Sequence, residues 1–227
     1  MAKINKDLQA LEILEIETLD LLNSKNVLDK LYFGGGTMLR LCHNLNRYST
    51  DLDFWLKDGA NQKNIFNLLL NIFQQKYSLI DSQNKFHTLL FQIKSPSSKR
   101  SLKIEIRKVQ TDFQWERKIA FSRFTIKQVQ LNGLTLEQMM KNKISAFLSR
   151  KIIRDCFDID FLFKRGIEIK TDERTLTDLL NIINSFKERD FKVTLSSLLE
   201  ADEREYYIEN KFSLLKEHIT SLLKVKK

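Results

Sequence analysis

Apolar residues recur along this chain with two different periods, and the changes of period mark out its elements. Between residues 7 and 23 (Asp7-Leu-Gln-Ala-Leu-Glu-Ile-Leu-Glu-Ile and onward) they fall at helical spacing and predict an amphipathic helix. Leu31-Tyr-Phe33 is a short apolar run that stops at Gly34-Gly-Gly36, as a strand entering a turn would. Met38, Leu41, Cys42 and Leu45 then share one face of a helix over 37–46. A strand over 51–56 follows, and Ile65, Leu68, Leu69 and Ile72 predict a helix over 62–76. Phe86–Lys94 and Ser101–Lys108 are two β-like runs separated by Ser95-Pro-Ser-Ser-Lys-Arg100, which holds the single proline and reads as a hairpin loop. In the second run Leu102, Ile104 and Ile106 alternate with Lys103, Glu105 and Arg107, the pattern of a half-exposed strand.

From Thr135 onward the period is helical. Thr135-Leu-Glu-Gln138 matches a capping box and opens a helix that runs to Arg150. A second helix from Ile152 stops near Gly166, and two or three more amphipathic helices fill 172–227. The chain is therefore expected to be of the α/β (α+β) class, with an α/β domain over 1–125 and a helical domain over 126–227.

Two short segments carry chemistry. Glycines at 34–36 let backbone N–H groups approach a ligand closely, and the helix that starts there directs its positive end at the turn. One helix later, Asp51 and Asp53 project from the same face of a strand, because strand side chains repeat every two residues. Either segment alone is common in turns and solvated loops. Together, a phosphate cradle facing a carboxylate pair that can hold divalent metal suits the transfer of a phosphorylated group. The run is not a P-loop, since no Lys-Ser/Thr follows at the required spacing, and no dinucleotide-type glycine pattern is present. Glu105, on the polar side of its β run, is the candidate third acid; its plain alternative is a surface pair with Lys103 or Arg107. Lys143, Phe147, Arg150 and Arg154 recur at helix-face spacing, with intrahelical pairs Lys151–Asp155 and Arg154–Asp158 as the plain alternative. His43, His87 and His218 show no metal spacing.

Composition and charge narrow the reading further. No run is long enough to span a bilayer and the first residues lack a signal-peptide core, so a cytoplasmic protein without a membrane partner is expected. The two cysteines, Cys42 and Cys156, read as buried thiols. Residues 101–170 hold 15 basic and 8 acidic side chains, so this segment supplies most of the net charge of +9. A polyanion partner, nucleoside triphosphate or nucleic acid, fits that excess; a solvated basic surface explains it equally well. Basic candidates for such a partner are Lys103, Arg107, Lys108, Arg117, Lys118, Arg150 and Lys151.

The motifs Gly35-Gly-Thr37, Arg47-Tyr-Ser-Thr-Asp-Leu-Asp-Phe54 and Lys143-Ile-Ser-Ala146, continuing to Arg150, Arg154, Asp155 and Asp158, together resemble the AbiEii/AbiGii toxin family. These are nucleotidyltransferases of the DNA polymerase β-like superfamily and toxins of type IV toxin–antitoxin systems. The resemblance covers roughly residues 30–165. It implies a small mixed sheet flanked by helices, with a helical second half. It further implies that Gly35, Gly36 and Thr37 contact nucleotide phosphates with Ser49 beside them, that Asp51 and Asp53 ligate magnesium, and that Lys143 contacts the nucleotide. One departure is visible: the third carboxylate of the superfamily is typically Asp, and here the candidate is Glu105. The expected activity is magnesium-dependent transfer of a nucleoside monophosphate from NTP to an acceptor hydroxyl, on RNA such as tRNA, with a cognate antitoxin as partner. A protein hydroxyl is the rival acceptor. A metal-dependent nuclease would have no need of the glycine turn, and a catalytically silent binding module would be expected to lose a carboxylate that this chain keeps.

Overall fold

The computed structural model describes residues 6–109 and 112–225, and the chain divides into two compact units at Thr135/Leu136. The first unit opens with helix α1 (Lys6–Ser24), followed by a 3-10 turn at Leu28–Lys30, strand β1 (Leu31–Gly34), helix α2 (Gly35–His43), strand β2 (Asp51–Leu56) and helix α3 (Gln62–Lys76). Five strands complete it: β3 (Ser78–Asn84), β4 (Thr88–Lys94), β5 (Leu102–Arg107), β6 (Trp115–Phe121) and β7 (Gln128–Leu134). The seven form one mixed sheet in the order β3-β4-β5-β2-β1-β7-β6. β2 lies at its centre, antiparallel to β1 and parallel to β5.

The local chemistry explains these elements. Asn61 caps α3 by accepting from Asn64 N–H at 3.0 Å, and Asn44 ends α2 in the left-handed conformation that a short amide side chain tolerates. Leu52, Phe54, Ile104, Ile106, Leu89, Phe91 and Phe33 line one face of the sheet and are buried together. Removing such aromatic and aliphatic side chains from water contributes ~1.5–3 kcal/mol each.

Three strands were not evident from the hydrophobic pattern. β3 (Ser-Leu-Ile-Asp-Ser-Gln-Asn) and β6 (Trp-Glu-Arg-Lys-Ile-Ala-Phe) stand at the two ends of the sheet, where exposure removes the clean alternation of apolar positions. β7 pairs with β1 inside the sheet and carries the α/β unit on to Thr135, beyond the boundary that sequence alone placed at residue 125. Helix α2 begins at Gly35 rather than at Thr37 and ends three residues early, at His43, because Asn44 turns the chain out. Helix α1 is not simply amphipathic: Glu12, Glu15 and Thr18 are buried along with its leucines.

The second unit contains α4 (Leu136–Arg150), α5 (Ile153–Lys164), α6 (Glu173–Ser185), a π-helical turn at Asp190–Leu195, α7 (Ala201–Asn210) and α8 (Ser213–Val225). Its core gathers Phe147, Phe157, Leu162, Leu179, Phe191 and Leu215. Tyr207 donates to Asp160 at 2.7 Å, and burial together with that carboxylate holds its phenol above the ordinary range. No described helix is long and apolar enough to cross a membrane, and both cysteines are free thiols.

Candidate active site

The site in the α/β unit starts where β1 becomes α2 with no intervening loop. That junction needs a positive φ, which Gly35 supplies at +73°. It also needs an absent side chain: a Cβ on Gly35 would lie 2.2 Å from Asp53 Oδ2 and 2.8 Å from Asp53 Cβ. The carboxylate of Asp53 thus rests directly against the first residue of α2. Gly36 is required by different neighbours, since its Cβ would meet Arg47 Nη2 at 2.5 Å and Ser49 Oγ at 2.9 Å. Thr37 is fully buried, and its hydroxyl donates to the backbone carbonyl of Asp51 at 2.6 Å. That hydroxyl fixes the start of β2, so what Thr37 can offer a phosphate is its backbone N–H.

Strand register sets the carboxylates. Asp53 stands opposite Gly34 on β1 and beside Glu105 on β5, while Asp51 stands beside Lys103. Asp51, Asp53 and Glu105 therefore share one face of the sheet. Lys103 forms an ion pair with Glu105. That hydrogen bond is the main cause of a raised Lys103 pKa, burial opposes it, and the charges of Asp51 and Asp53 add to it. The lysine therefore sits in the combined field of three acids. The surface pairing foreseen for Glu105 is present, in the same place where it could serve as a third acid. Among the described residues no three His, Cys, Asp or Glu side chains converge closely enough to hold a metal ion.

Several participants had no assigned role in the sequence. Arg47 is buried, donates to the Tyr48 carbonyl at 2.9 Å, and lies against Gly36. Arg40 donates to Glu12 at 2.5 Å and to the Leu45 carbonyl at 3.1 Å, and stacks 4.0 Å over the Tyr48 ring. Ser122 donates to the other Glu12 oxygen at 2.6 Å. These contacts tie the segment leading into Asp51 to α1 and α2. Glu15, one turn from Glu12, is buried, and neither carboxylate oxygen has a hydrogen-bond partner among the described residues. Burial, then the charge of Glu12, raises its pKa well above the usual range; Arg40 opposes this and Asp51 adds slightly to it. The available signal was a pair of acids three residues apart in the same helical row as Leu8, Leu19 and Leu22.

Lys143 belongs to the helical unit. Its ammonium lies 2.7 Å from Asp158 and 3.8 Å from Asp155, and Arg150 reaches Asp155 at 2.8 Å. Lys143, Asp155 and Asp158 are all buried. The intrahelical pairs read from spacing are replaced by pairs between α4 and α5, because the chain breaks at Lys151, which has φ +55°. One helix does not continue through 143–154.

No curated protein matches the sequence significantly. Among solved structures, JHP933 from Helicobacter pylori is similar over 94% of this chain and 97% of its own, with a TM-score of 0.55 and 19% identity. A second H. pylori protein, provisionally assigned as a nucleotidyltransferase, is similar over 92% and 96% of the two chains, with the same TM-score and identity. At that identity the likeness establishes the shared fold. The family model for the nucleotidyl transferase AbiEii toxin of type IV toxin–antitoxin systems matches residues 20–221. With nearly the whole chain matched and the glycine turn set against Asp53 at the sheet's centre, this protein belongs to the AbiEii nucleotidyltransferase toxin family.

Proposed function

We propose that this nucleotidyltransferase moves a nucleoside monophosphate from a nucleoside triphosphate to a hydroxyl of RNA, with tRNA the expected class, and releases pyrophosphate. The observation that carries the reading is the contact of Gly35 with Asp53: the N-terminus of α2 and a carboxylate share one point. A helix N-terminus attracts the triphosphate, while the carboxylates repel it unless a cation lies between them. The donor set fits magnesium, a hard cation that takes carboxylate oxygens. Asp51 and Asp53 would hold it, with Glu105 as a third donor once released from Lys103. When bound, magnesium would neutralise phosphoryl charge and favour the attacking oxygen.

The chain's own residues do the rest. The backbone N–H groups of Gly35, Gly36 and Thr37 bind phosphate oxygens, with Ser49 at the edge of the turn. Thr37 holds Asp51 in place through its carbonyl, and Arg47 packs the Ser49–Asp51 segment on Gly36. The acceptor oxygen bonds to the α-phosphorus as the bond to the β-phosphate oxygen breaks. Glu105 is the candidate to receive the hydroxyl proton. Lys143 is proposed to place its charge on the nucleotide, while Asp158 and Asp155 orient it. The basic segment 101–170 supplies charge for RNA phosphates, and family membership implies a cognate antitoxin.

The test incubates the protein with each labelled NTP, magnesium and total cellular RNA. Label is expected in RNA, and none with Asp53→Asn, whose melting temperature should stay at the wild-type value. Label in protein instead of RNA would replace the acceptor; full transfer by Asp53→Asn would remove the carboxylate mechanism.

A further inference from the structure

The face of the sheet that carries the acids also carries a group of aromatic and basic side chains with no part in the transfer step. Trp55 lies two residues beyond Asp53 on β2, on the same face and about 7 Å along the strand. Register places Tyr32 on one side of Trp55 and Arg107 on the other. Phe113 links the rings, with its centroid 5.5 Å from Trp55 and 6.1 Å from Tyr32, and Trp115 stands 5.8 Å from Tyr32. Two cations attend them: Lys57 lies 4.4 Å from the Trp115 ring centroid and 5.1 Å from Tyr32, and Arg107 lies 5.0 Å from Trp55. Trp55 and Phe113 are buried, whereas Trp115 is 42% exposed, Arg107 is exposed, and Tyr32 and Lys57 are half-buried.

A single exposed tryptophan needs no explanation. Here it caps a supported cluster of edge-to-face and tilted rings flanked by cations, on the same face as a carboxylate pair. Burial, then the nearby charge of Arg117, lowers the Lys57 pKa with Asp29 opposing them, and burial, then the charges of Asp58 and Asp112, raises that of the Tyr32 phenol, so cations and carboxylates alternate around the rings. Aromatic faces accept any base by stacking, and lysine or arginine beside them accepts backbone phosphates; together they are the equipment of a single-strand nucleic acid site.

We propose that this platform takes unpaired bases of the acceptor RNA, stacking them on Trp115 and Tyr32 while Lys57 and Arg107 hold the adjoining phosphates. The inference rests on the RNA-acceptor reading and deepens it. The acceptor is assigned rather than the donor nucleotide because the donor phosphates are fixed at the Gly35 end of the site. Lys57 lies beyond the far end of β2, four residues and about 13 Å from Asp53.

Trp55 and Trp115 are the only tryptophans in the chain, so intrinsic tryptophan fluorescence reports on the platform alone. A short single-stranded oligoribonucleotide, titrated into the full-length protein at low salt without NTP, should quench it saturably, and an RNA duplex of equal length should not. Binding of the same oligonucleotide with a terminal dye, followed by anisotropy, should weaken about tenfold or more in Trp115→Ala and change little in Trp115→Phe. Lys57→Gln should weaken it less and reduce its salt dependence. If Trp115→Ala does not fold, Lys57→Gln decides the matter, and wild-type affinity with an unchanged salt dependence in that variant overturns the proposal. Absence of saturable quenching overturns the proposal, as does wild-type affinity in both Trp115→Ala and Lys57→Gln. So does quenching by NTP with magnesium that competes with the oligonucleotide, which would give the platform to the donor. Asp53→Asn should lose transfer and keep the quenching, so a failed transfer reaction and a failed platform give different results.

Discussion

Gly35→Ala adds one methyl group where strand β1 turns into helix α2. The new Cβ would sit 2.2 Å from Asp53 Oδ2, a contact that rotation of the carboxylate could relieve. It would also sit 2.8 Å from Asp53 Cβ, which moves only with the central strand. The positive φ of +73° adds left-handed strain of ~1–2 kcal/mol. Overpacking at a well-filled site typically costs ~1–3 kcal/mol more. The sum, ~2–5 kcal/mol, corresponds to a fall of ~4–20 °C in melting temperature for a chain of this size. Function should suffer as well, because a displacement of ~1 Å in a positioned carboxylate can reduce the rate about a hundredfold. Thermal melting and transfer kinetics measure the two effects separately. Gly59→Ala is the internal control: its φ is +77°, but no atom of the described residues lies within 4 Å of a Cβ there, so it should show the backbone strain and leave kcat and KM unchanged. If Gly35→Ala matches Gly59→Ala in melting temperature and wild type in KM for NTP, the contact with Asp53 places no constraint on the site.

Other consequences are equally open to measurement. Lys143→Met should lower the melting temperature as well as the activity, because it removes the cation 2.7 Å from the buried carboxylate of Asp158 while Asp155 keeps Arg150; the loss of one partner from such a buried pair costs ~3–5 kcal/mol. Adding Asp158→Asn to that variant should recover part of the loss, and an unchanged melting temperature for Lys143→Met would contradict the ion pair. Glu15 has a raised pKa in the folded chain, so it binds a proton more tightly there than when unfolded. Its contribution is complete below the unfolded carboxyl pKa of ~4.3 and declines as pH rises towards the folded value. Glu15→Gln removes that decline, so its stability relative to wild type should grow between pH 5 and pH 8; a difference independent of pH would show that Glu15 is ionised in the fold. Thr37→Val removes the 2.6 Å hydrogen bond to the Asp51 carbonyl at nearly constant volume. A loss of ~1 kcal/mol in stability is expected, with a fall in kcat as the start of β2 loosens, and a wild-type kcat would show that this bond does not position Asp51.

The sequence by itself determined the ingredients and their local geometry. Period-two and helical spacing gave α3 at 62–76 and β2 at 51–56 with their observed bounds, because each is one uninterrupted pattern between clear turn residues. The parity of a strand placed Asp51 and Asp53 on one face before any fold was known, and the motif spacing pointed to the nucleotidyltransferase family. Tertiary structure decided everything that depends on which strands become neighbours. Parallel pairing of β2 with β5 put Glu105 beside Asp53 and Lys103 beside Asp51, across some fifty residues of chain, and no local pattern encodes that register. Edge strands β3 and β6 escaped detection because neither of their faces is consistently buried, and alternation of apolar and polar side chains needs one buried face. Helical spacing over residues 7–23 predicts an amphipathic helix, yet Glu12 in it is buried, stabilised by Arg40 and Ser122, residues 28 and 110 positions away. Gly35 looked like a turn glycine, and its turn is real; that it must also lack a Cβ because Asp53 occupies the space is a fact of packing, which only the folded chain expresses.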